Sequence, residues 1–241
     1  MKSISISTKV HIPLVASILI GFIIILISFF SSVSDIENKV YQLQSHKLKN
    51  YFEESLASKS TVGITNAINI ANNFYVVESL KKNNRQLAID GLTKLSKDYR
   101  NNTKFKNIKI HIHDANVHSF LRAWNPKKYG DDLSGFRHTI NHVKQTKKPL
   151  VAIEIGVAGF VLRGLSPVIL DGQYLGSVEF MQGLNSIVSD GKKHDIDVAI
   201  FMDNKYLNIA KELQNAPRFE NYTLAVMKDF ISTEFVSIYM V

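Results

Sequence analysis

Two arginines lie in apolar stretches of the sequence, where a charged side chain needs a partner. Arg122 has Leu121 and Ala123 as neighbours, and Arg163 lies within the apolar run 160–170. Burying a lone charge costs several kcal/mol, so each guanidinium must meet an anion. That anion is either the carboxylate of a ligand, held by paired hydrogen bonds, or an acidic residue of the protein itself.

Two glutamates are the candidate partners inside the protein. Glu154 and Glu179 also occur in apolar, strand-like runs, and either could pair with Arg122 or Arg163. The sequence leaves the internal salt bridge and the ligand clamp open as alternatives for each arginine. Arg137, in a loop that leads into a predicted helix, is a third candidate for contact with a ligand.

Aromatic residues flank Arg122 at strand spacing. Residues two apart in a strand share a face, so we expect Phe120, Arg122 and Trp124 to lie together. Aromatic walls are typical of small-molecule sites, and an arginine between them suits an anion or an amino acid. Core packing with an Arg–aromatic stack is the alternative for Trp124. Tyr129 and Phe136 are candidates for a lid over this site.

A His-x-His pair is the second candidate for chemistry. His111 and His113 share a strand face, and they could hold zinc, copper or iron together with Asp114 or His118. No third ligand stands at a spacing typical of a metal site. We therefore expect surface or pocket histidines, and neither a bound metal nor another cofactor.

Motifs of common catalytic sites are missing from the sequence. The pair Asp131-Asp132 lacks the spacing of a calcium-binding EF-hand, and Gly156-Val-Ala-Gly159 lacks the Lys-Ser/Thr of a phosphate loop. There is no Gly-x-Ser-x-Gly elbow and no His-Glu-x-x-His. The chain has no cysteine, which excludes thiol nucleophiles and disulfides. We expect no catalytic residue, and the protein is predicted not to be an enzyme.

The pattern of apolar residues places these side chains on an antiparallel sheet. Period-two alternation is typical of half-buried strands, and Asp171-Gly172 is a strong hairpin turn. Strands are predicted over 108–113, 117–124, 150–155, 160–170, 173–181 and 196–202. Helices are predicted over 61–80, 85–99, 136–147, 184–189 and 206–213, with a loop at 126–135 and no clear pattern after Asn215.

An uncharged apolar run, residues 12–30, precedes these elements. Nineteen helical residues span roughly 29 Å, close to the thickness of the bilayer core. Lys2 and Lys9 precede the run while Asp35 and Glu37 follow it, so we expect a cytoplasmic N-terminus and an exterior main domain. A cleaved signal peptide and a buried core helix are the alternatives to this uncleaved anchor.

A helical stripe follows the predicted span. Ile36, Val40 and Leu43 recur at helical spacing, and the stripe continues to Leu56. Ser34-Asp-Ile-Glu37 fits a capping box, which would start a new helix outside the bilayer. The alternative is one helix that runs from the membrane outward.

Charge and composition restrict the partners. The net charge is +8, but the lysines are dispersed, which is typical of a solvated surface. On the exterior side of a membrane we expect no nucleic acid partner. Hydrophobic residues make up 45% of the chain, enough for a core. The residues after the span suit one domain, or one large and one partial domain.

Four ordered motifs between residues 119 and 180 carry a family resemblance. They are Phe120-Leu-Arg-Ala-Trp-Asn-Pro, Tyr129-Gly-Asp-Asp-Leu-Ser-Gly-Phe-Arg137, Glu154-Ile-Gly-Val-Ala-Gly-Phe-Val-Leu-Arg-Gly-Leu-Ser-Pro167 and Leu175-Gly-Ser-Val-Glu-Phe180. This block resembles the extracytoplasmic Cache sensor domains of bacterial chemoreceptors and sensor histidine kinases. It is most similar to the double-Cache subtype described as a double sensory domain of two-component sensor kinases.

The resemblance implies a PAS-like fold, an antiparallel sheet with flanking helices and a pocket for a small ligand. It also implies a homodimer that pairs through the long helix, with Ile36, Val40, Leu43 and Leu56 as candidates for the seam. Packing of these residues on the domain's own sheet is the alternative. The ligand-binding residues proposed at this point are Phe120, Arg122, Trp124, Tyr129, Arg137, Glu154, Arg163 and Glu179.

The predicted fold class is α+β: a transmembrane helix continuing into a long helix, followed by the Cache sheet. The predicted divisions are a cytoplasmic tail (1–11), a transmembrane helix (12–30), a helical region (31–100), the Cache core (101–202) and a C-terminal segment (203–241). A double-Cache array needs a second module, for which residues 196–241 are too few. A single module and a truncated receptor are both open.

The predicted function is extracytoplasmic sensing of a small polar or anionic ligand by a receptor in the bacterial inner (cell) membrane. The main domain would be periplasmic or extracellular, and the parent would be a chemoreceptor or a histidine kinase. The alternative is a membrane-anchored binding module without a signalling output of its own.

Overall fold

The fold is taken from a computed structural model that describes residues 6–103 and 108–226. It comprises two compact units, residues 1–51 and 52–241. Helix α1 spans Ile6–Ala71, and the described part of the first unit consists of this helix alone. Lys2 and the side chain of Lys9 lie outside the described residues. The helix has no break at Ser34, so a single helix is observed rather than a new start at the capping box.

The apolar segment of α1 is exposed along its length in the described residues. In the portion of the chain with a described structure, α1 is the one helix that is long and apolar enough to cross a membrane, judged by length and composition. None of its most apolar window is covered. This exposure argues against the buried core helix and agrees with a candidate span.

Two shorter helices follow, α2 (Phe74–Lys81) and α3 (Arg85–Asn102). The single helix predicted over 61–80 is therefore broken, because Asn73 leaves the helical conformation and its side chain accepts a hydrogen bond from the N–H of Tyr75. Asn84 caps α3 in the same way. The helix predicted over 85–99 is confirmed, and it extends three residues further, to Asn102.

Five antiparallel strands form the main sheet, in the order β2-β1-β5-β4-β3. Their bounds are β1 Lys109–Asp114, β2 Ser119–Arg122, β3 Leu150–Gly156, β4 Gly159–Leu170 and β5 Gln173–Gly183. Helix α4 (His138–Thr146) lies between β2 and β3 in sequence. The first five of the six predicted strands are confirmed, and Asp171 and Gly172 both have positive φ at the hairpin between β4 and β5.

One face of this sheet is apolar and packs against α1, α2 and α3. Its core includes Ile110, Ile112, Val178 and Phe180 from the strands and Ala67, Ile70, Val76 and Leu92 from the helices. The opposite face carries a second buried apolar cluster, in which Leu165 of β4 lies with Ile140 and Val143 of α4. The rest of this face is polar. We call that part the polar face, and it comprises His111, His113, Arg122, Glu154, Arg163, Ser177 and Glu179.

The C-terminal part differs most from the expectation. After α5 (Asn185–Gly191), a small sheet has the order β6-β8-β7, with β6 Ile200–Asp203, β7 Arg218–Phe219 and β8 Tyr222–Val226. The helix predicted over 206–213 is wrong, because that segment forms only short 3₁₀ turns. The last part of the predicted C-terminal segment, from residue 227 onward, lies outside the described residues.

Candidate functional site

Strand pairing brings residues that are distant in sequence onto the polar face. His111 of β1 lies opposite Arg122 on β2 and Glu179 on β5. His113 lies opposite Ser177 on β5. Side chains of directly opposed residues on one face are close enough to interact, so β5 supplies partners for both histidines.

Two arginines and two glutamates form a closed set of ion pairs. Nη2 of Arg137 lies 2.5 Å from Oε1 of Glu179 and 3.1 Å from Oε2 of Glu154. Nη1 of Arg163 lies 2.7 Å from Oε1 of Glu179, and its Nε lies 3.2 Å from Oε2 of Glu154. We call these four residues the Arg–Glu ring. Its two positive and two negative charges balance.

Glu179 is the most deeply placed member of the ring, with no solvent exposure. Burial alone would raise the pKa of this carboxyl. The charges of Arg137 and Arg163 outweigh burial and hold the pKa of Glu179 well below its usual value. Glu179 is therefore a carboxylate at neutral pH, with Oε1 shared by the two arginines and Oε2 turned toward the histidines.

The two histidines are held by serines. Nε2 of His111 lies 2.8 Å from Oγ of Ser119, and Nδ1 of His113 lies 2.9 Å from Oγ of Ser177. The other ring nitrogens face Glu179, with His111 Nδ1 at 3.5 Å and His113 Nε2 at 3.8 Å from Oε2. Burial lowers the pKa of His111, and it lowers the pKa of His113 well below the usual value, so both imidazoles are neutral at neutral pH.

Arg122 has a different acidic partner from the one expected. Its two Nη atoms each donate to one carboxylate oxygen of Asp131 at 2.7 Å, and Nη1 also donates to the backbone carbonyl of Lys128. The hydrogen bonds from Arg122 lower the pKa of Asp131 to about 2. Arg122 and Arg163 thus both have carboxylate partners inside the protein. Sequence patterning indicated Glu154 and Glu179 as partners and not Asp131, although Asp131 lies in the predicted loop that follows Arg122.

The loop over the edge of the polar face, residues 123–137, is tied to α3 by Arg85. Nε of Arg85 donates to the carbonyl of Phe120 at 2.7 Å, and Nη2 donates to the carbonyl of Pro126 at 2.6 Å. The guanidinium also lies 3.3 Å from the ring centroid of Tyr129. Tyr129 therefore contacts α3 through Arg85, and sequence patterning did not identify Arg85.

The expectation that Phe120 shares a face with Arg122 is not met. The partner of β1 changes from Leu121 to Ser119 between Ile112 and His113, so one residue of β2 is skipped. This β-bulge breaks the period of two, and Phe120 packs in the helix-side core with Leu121. A small cavity found near here is lined by residues of α3 and by Leu121, Ala123 and Pro126, away from the polar face.

Trp124 does lie at the polar face. Its ring stands edge-on to that of His111, with centroids 5.8 Å apart, and 41% of the residue is exposed. Phe136, which the sequence predicted as a lid residue together with Tyr129, is 63% exposed. The structure thus brings Trp124, Arg137, Glu154, Arg163 and Glu179 to one face, with Arg122 at its edge.

Comparison with known families and structures agrees with this architecture. A sequence model of the family described as double sensory domain of two-component sensor kinase matches residues 41–230. The sensor domain of the V. cholerae histidine kinase DctB superposes with a TM-score of 0.50 and 14% identity, over 62% of this chain and 57% of that chain. The likeness to DctB shows a shared fold.

A further structural match is the sensory domain of the Campylobacter jejuni chemoreceptor Tlp3 (CcmL), solved with isoleucine bound. It has a TM-score of 0.45 and 16% identity, over 66% of this chain and 63% of that chain. The chain therefore spans less than two thirds of the length of either structure. No match was found among curated proteins.

Proposed function

Because the chain belongs to the family of double sensory domains of two-component sensor kinases, which confirms the Cache resemblance, we propose that it is the ligand-sensing part of a membrane-anchored bacterial receptor. The parent is a chemoreceptor or a histidine kinase. The exposed apolar segment of α1 supports the anchor. The charges that flank this segment support a periplasmic or extracellular main unit.

The proposed ligand is small and polar or anionic, and it binds on the polar face beneath the 123–137 loop. The residues assigned to ligand contact are Arg122, Trp124, Arg137, Glu154, Arg163 and Glu179. Phe120 is left out because it packs in the helix-side core. Tyr129 lies in the loop and would move with it.

The pairing of Arg122 with Asp131 carries this proposal. The Asp131 side chain is 41% exposed, whereas those of Glu154 and Glu179 are 20% and 0% exposed. A ligand carboxylate can therefore reach and replace Asp131 more readily than it can replace either glutamate. The exchange of one carboxylate for another keeps Arg122 neutralised and avoids leaving a buried charge alone.

Arg122 holds both the Asp131 side chain and the carbonyl of Lys128. Release of Asp131 would therefore loosen the loop around Lys128, while backbone hydrogen bonds keep residues 130–133 on Val117 and Ser119. A ligand shifts the equilibrium between two states of the loop only to the extent that it binds one state more tightly than the other. Strand β5 then supplies the route to α1, because Gln182 on β5 donates to the carbonyl of Lys59 at 2.9 Å. The hydrogen bond between Gln182 and Lys59 would transmit the motion to α1 as a small helix shift, a kind of movement common in allosteric proteins.

The test is ligand binding by the full chain in lipid nanodiscs. Single amino acids and small dicarboxylates serve as probes, screened by thermal shift and then titrated calorimetrically. Asp131→Asn removes the internal competitor, so we expect its affinity for a carboxylate probe to rise about tenfold, roughly 1.4 kcal/mol. Arg122→Met removes the donors and should abolish binding.

The matched control is Asp132→Asn. Asp132 adjoins Asp131, but its carboxylate accepts from the N–H of Ser134 instead of from Arg122. This variant should bind the probe as the wild type does. The proposal fails if no carboxylate probe binds the wild type or Asp131→Asn, or if Arg122→Met keeps wild-type affinity.

A further inference from the structure

Three buried side chains on β1 and β5 direct potential ligand atoms toward one point. One nitrogen each of His111 and His113 and one oxygen of Glu179 all lie within 4.8 Å of one another. The nitrogens lie 3.5 and 3.8 Å from the Glu179 oxygen. In a tetrahedral site with bonds of about 2.0–2.1 Å, neighbouring ligand atoms are about 3.3 Å apart. The two nitrogen–oxygen separations are within about 0.5 Å of that distance, and the two nitrogens, which lie within 4.8 Å of each other, would move together to complete the site.

Two of these three atoms lack a hydrogen-bond partner. Among the residues whose structure is described, Nε2 of His113 and Oε2 of Glu179 are buried and accept or donate no hydrogen bond. Buried polar atoms are almost always paired in native proteins, so two unpaired atoms that face each other need an explanation. A cation between them satisfies both.

Each candidate metal-binding side chain is also held in place by hydrogen bonds or ion pairs to other residues, as metal-binding side chains usually are. The distal nitrogens of His111 and His113 are bonded to Ser119 and Ser177. Oε1 of Glu179 is held by Arg137 and Arg163. Such outer contacts orient metal ligands and fix the histidine tautomer.

The protonation states also suit a metal. Burial lowers the pKa of both imidazoles, and the two arginines lower the pKa of Glu179. Neutral imidazole and ionised carboxylate are the forms that coordinate.

We propose that His111 Nδ1, His113 Nε2 and Glu179 Oε2 bind one divalent transition-metal ion, with Zn²⁺ as the ion to test. Two histidines and one glutamate with a fourth open position are an established zinc ligand set. The Arg–Glu ring is neutral by itself, so the ion adds two positive charges to this face. The open position therefore favours water or an anion as the fourth ligand. The proposal does not depend on the exchange of partners at Arg122.

The experiment is zinc binding by the full chain in nanodiscs, purified without a histidine tag and stripped with a chelator. Elemental analysis should find one zinc per chain after dialysis against Zn²⁺. The double variant His111→Gln/His113→Gln should bind zinc at least 100-fold more weakly in a calorimetric titration. The control His118→Gln/His142→Gln removes two histidines that are not in the cluster, and it should keep wild-type affinity.

Two further measurements keep the proposal testable if the double variant folds poorly. Ser177→Ala removes the hydrogen bond that supports His113 but leaves all three ligands in place, and we expect a 10- to 100-fold loss of zinc affinity with an unchanged near-UV circular dichroism spectrum. Co²⁺ in the wild type should give the intense visible absorption of a tetrahedral site. The proposal is overturned if the wild type holds no stoichiometric zinc, or if zinc affinity is the same in the histidine variants and the wild type.

A negative result for zinc binding can be told apart from a negative result for binding of a carboxylate ligand. Zinc is titrated without any organic probe, and Arg122→Met should leave zinc affinity within about threefold of wild type because Arg122 is not among the three ligands. Zinc ranks above Mn²⁺ and Fe²⁺ in affinity for nitrogen and oxygen ligands, so a site that does not hold zinc will not hold those ions more tightly.

Discussion

At the scale of single residues, the polar face is organised around Glu179. One of its oxygens accepts from Arg137 and Arg163, and the other faces the two histidines. The side chain is fully buried, so its charge depends on the arginines for neutralisation. Residues that touch Glu179 should therefore affect stability more than ion pairs at the surface.

Arg163→Met tests this dependence. The substitution leaves Glu154 and Glu179 to share one guanidinium, that of Arg137. We expect a loss of about 3 kcal/mol in the free energy of unfolding, the lower end for a broken buried pair. Adding Glu154→Gln restores the charge balance and should recover part of that loss. Urea denaturation of the full chain in nanodiscs measures both.

The surface pair between Lys82 and Glu78 gives the comparison. Lys82 is 60% exposed, so Lys82→Ala should cost less than about 0.5 kcal/mol. Equal losses for Lys82→Ala and Arg163→Met would show that burial does not determine the strength of these pairs.

Sequence reasoning could identify charges that needed partners, but not the partners themselves. Arg163, Glu154 and Glu179 stood out because each interrupts an apolar run, and the structure places them together. The contact of His111 with Glu179 could not be predicted, because the register between β1 and β5 joins residues almost seventy positions apart.

At the scale of elements, α1 and β4 touch through glycines. A Cβ atom added to Gly164 would overlap the backbone of Gly63. Neither backbone can move aside as a side chain can. The absence of a side chain at Gly164 is therefore what lets the helix pack onto the sheet at this point.

Gly164→Ala should consequently destabilise the fold. We expect a loss of about 1–3 kcal/mol, as for other overpacked cores, measured as a shift of the urea midpoint. Gly135→Ala is the control, since a Cβ there would meet nothing within 4 Å. A wild-type midpoint for Gly164→Ala would mean that α1 is free to shift at this contact.

Elements with strong local patterns were predictable, and the others depended on tertiary contacts. The alternating residues of β1 and the Asp171-Gly172 turn determine strands and hairpin locally. The small sheet of β6, β7 and β8 has short strands whose pairing is set by neighbours, so propensity gave no sign of β7. The β-bulge at Phe120 could not be predicted either, because it depends on how β2 pairs with β1.

At the scale of the whole molecule, α1 carries an exposed apolar stripe. Ile36, Val40 and Leu43 are 62%, 53% and 74% exposed. Apolar residues recurring at this spacing on an exposed helix are typical of a helix–helix seam. The predicted homodimer would cover them.

Cysteine cross-linking tests the dimer directly, because the chain has no cysteine of its own. Val40→Cys in membranes should form a disulfide-linked dimer on mild oxidation, since seam positions of two parallel helices meet. Gln42→Cys lies about 200° around the helix and should cross-link at least tenfold more slowly. Equal rates for the two variants on gel analysis would contradict a seam along this stripe.

The predicted domain boundary at residue 202 divides β6, which spans Ile200–Asp203 and pairs with β8 in the later segment. The sequence pattern placed that boundary where the alternating residues ended. Hydrogen bonds to a strand twenty residues further along continue the structure beyond it. The divisions at 31–100, 101–202 and 203–241 otherwise stay predictions.

Arg85 determines how the 123–137 loop can open. Its guanidinium binds the carbonyls of Phe120 and Pro126 from outside the loop, on α3, so the first few loop residues are fastened independently of Arg122 and Asp131. Further along the loop, Gly130 and Leu133 donate backbone hydrogen bonds to the carbonyls of Ser119 and Val117. Loss of the Asp131 side-chain contact would therefore release only the few residues between these two attachments, so an opening there would admit only a small molecule.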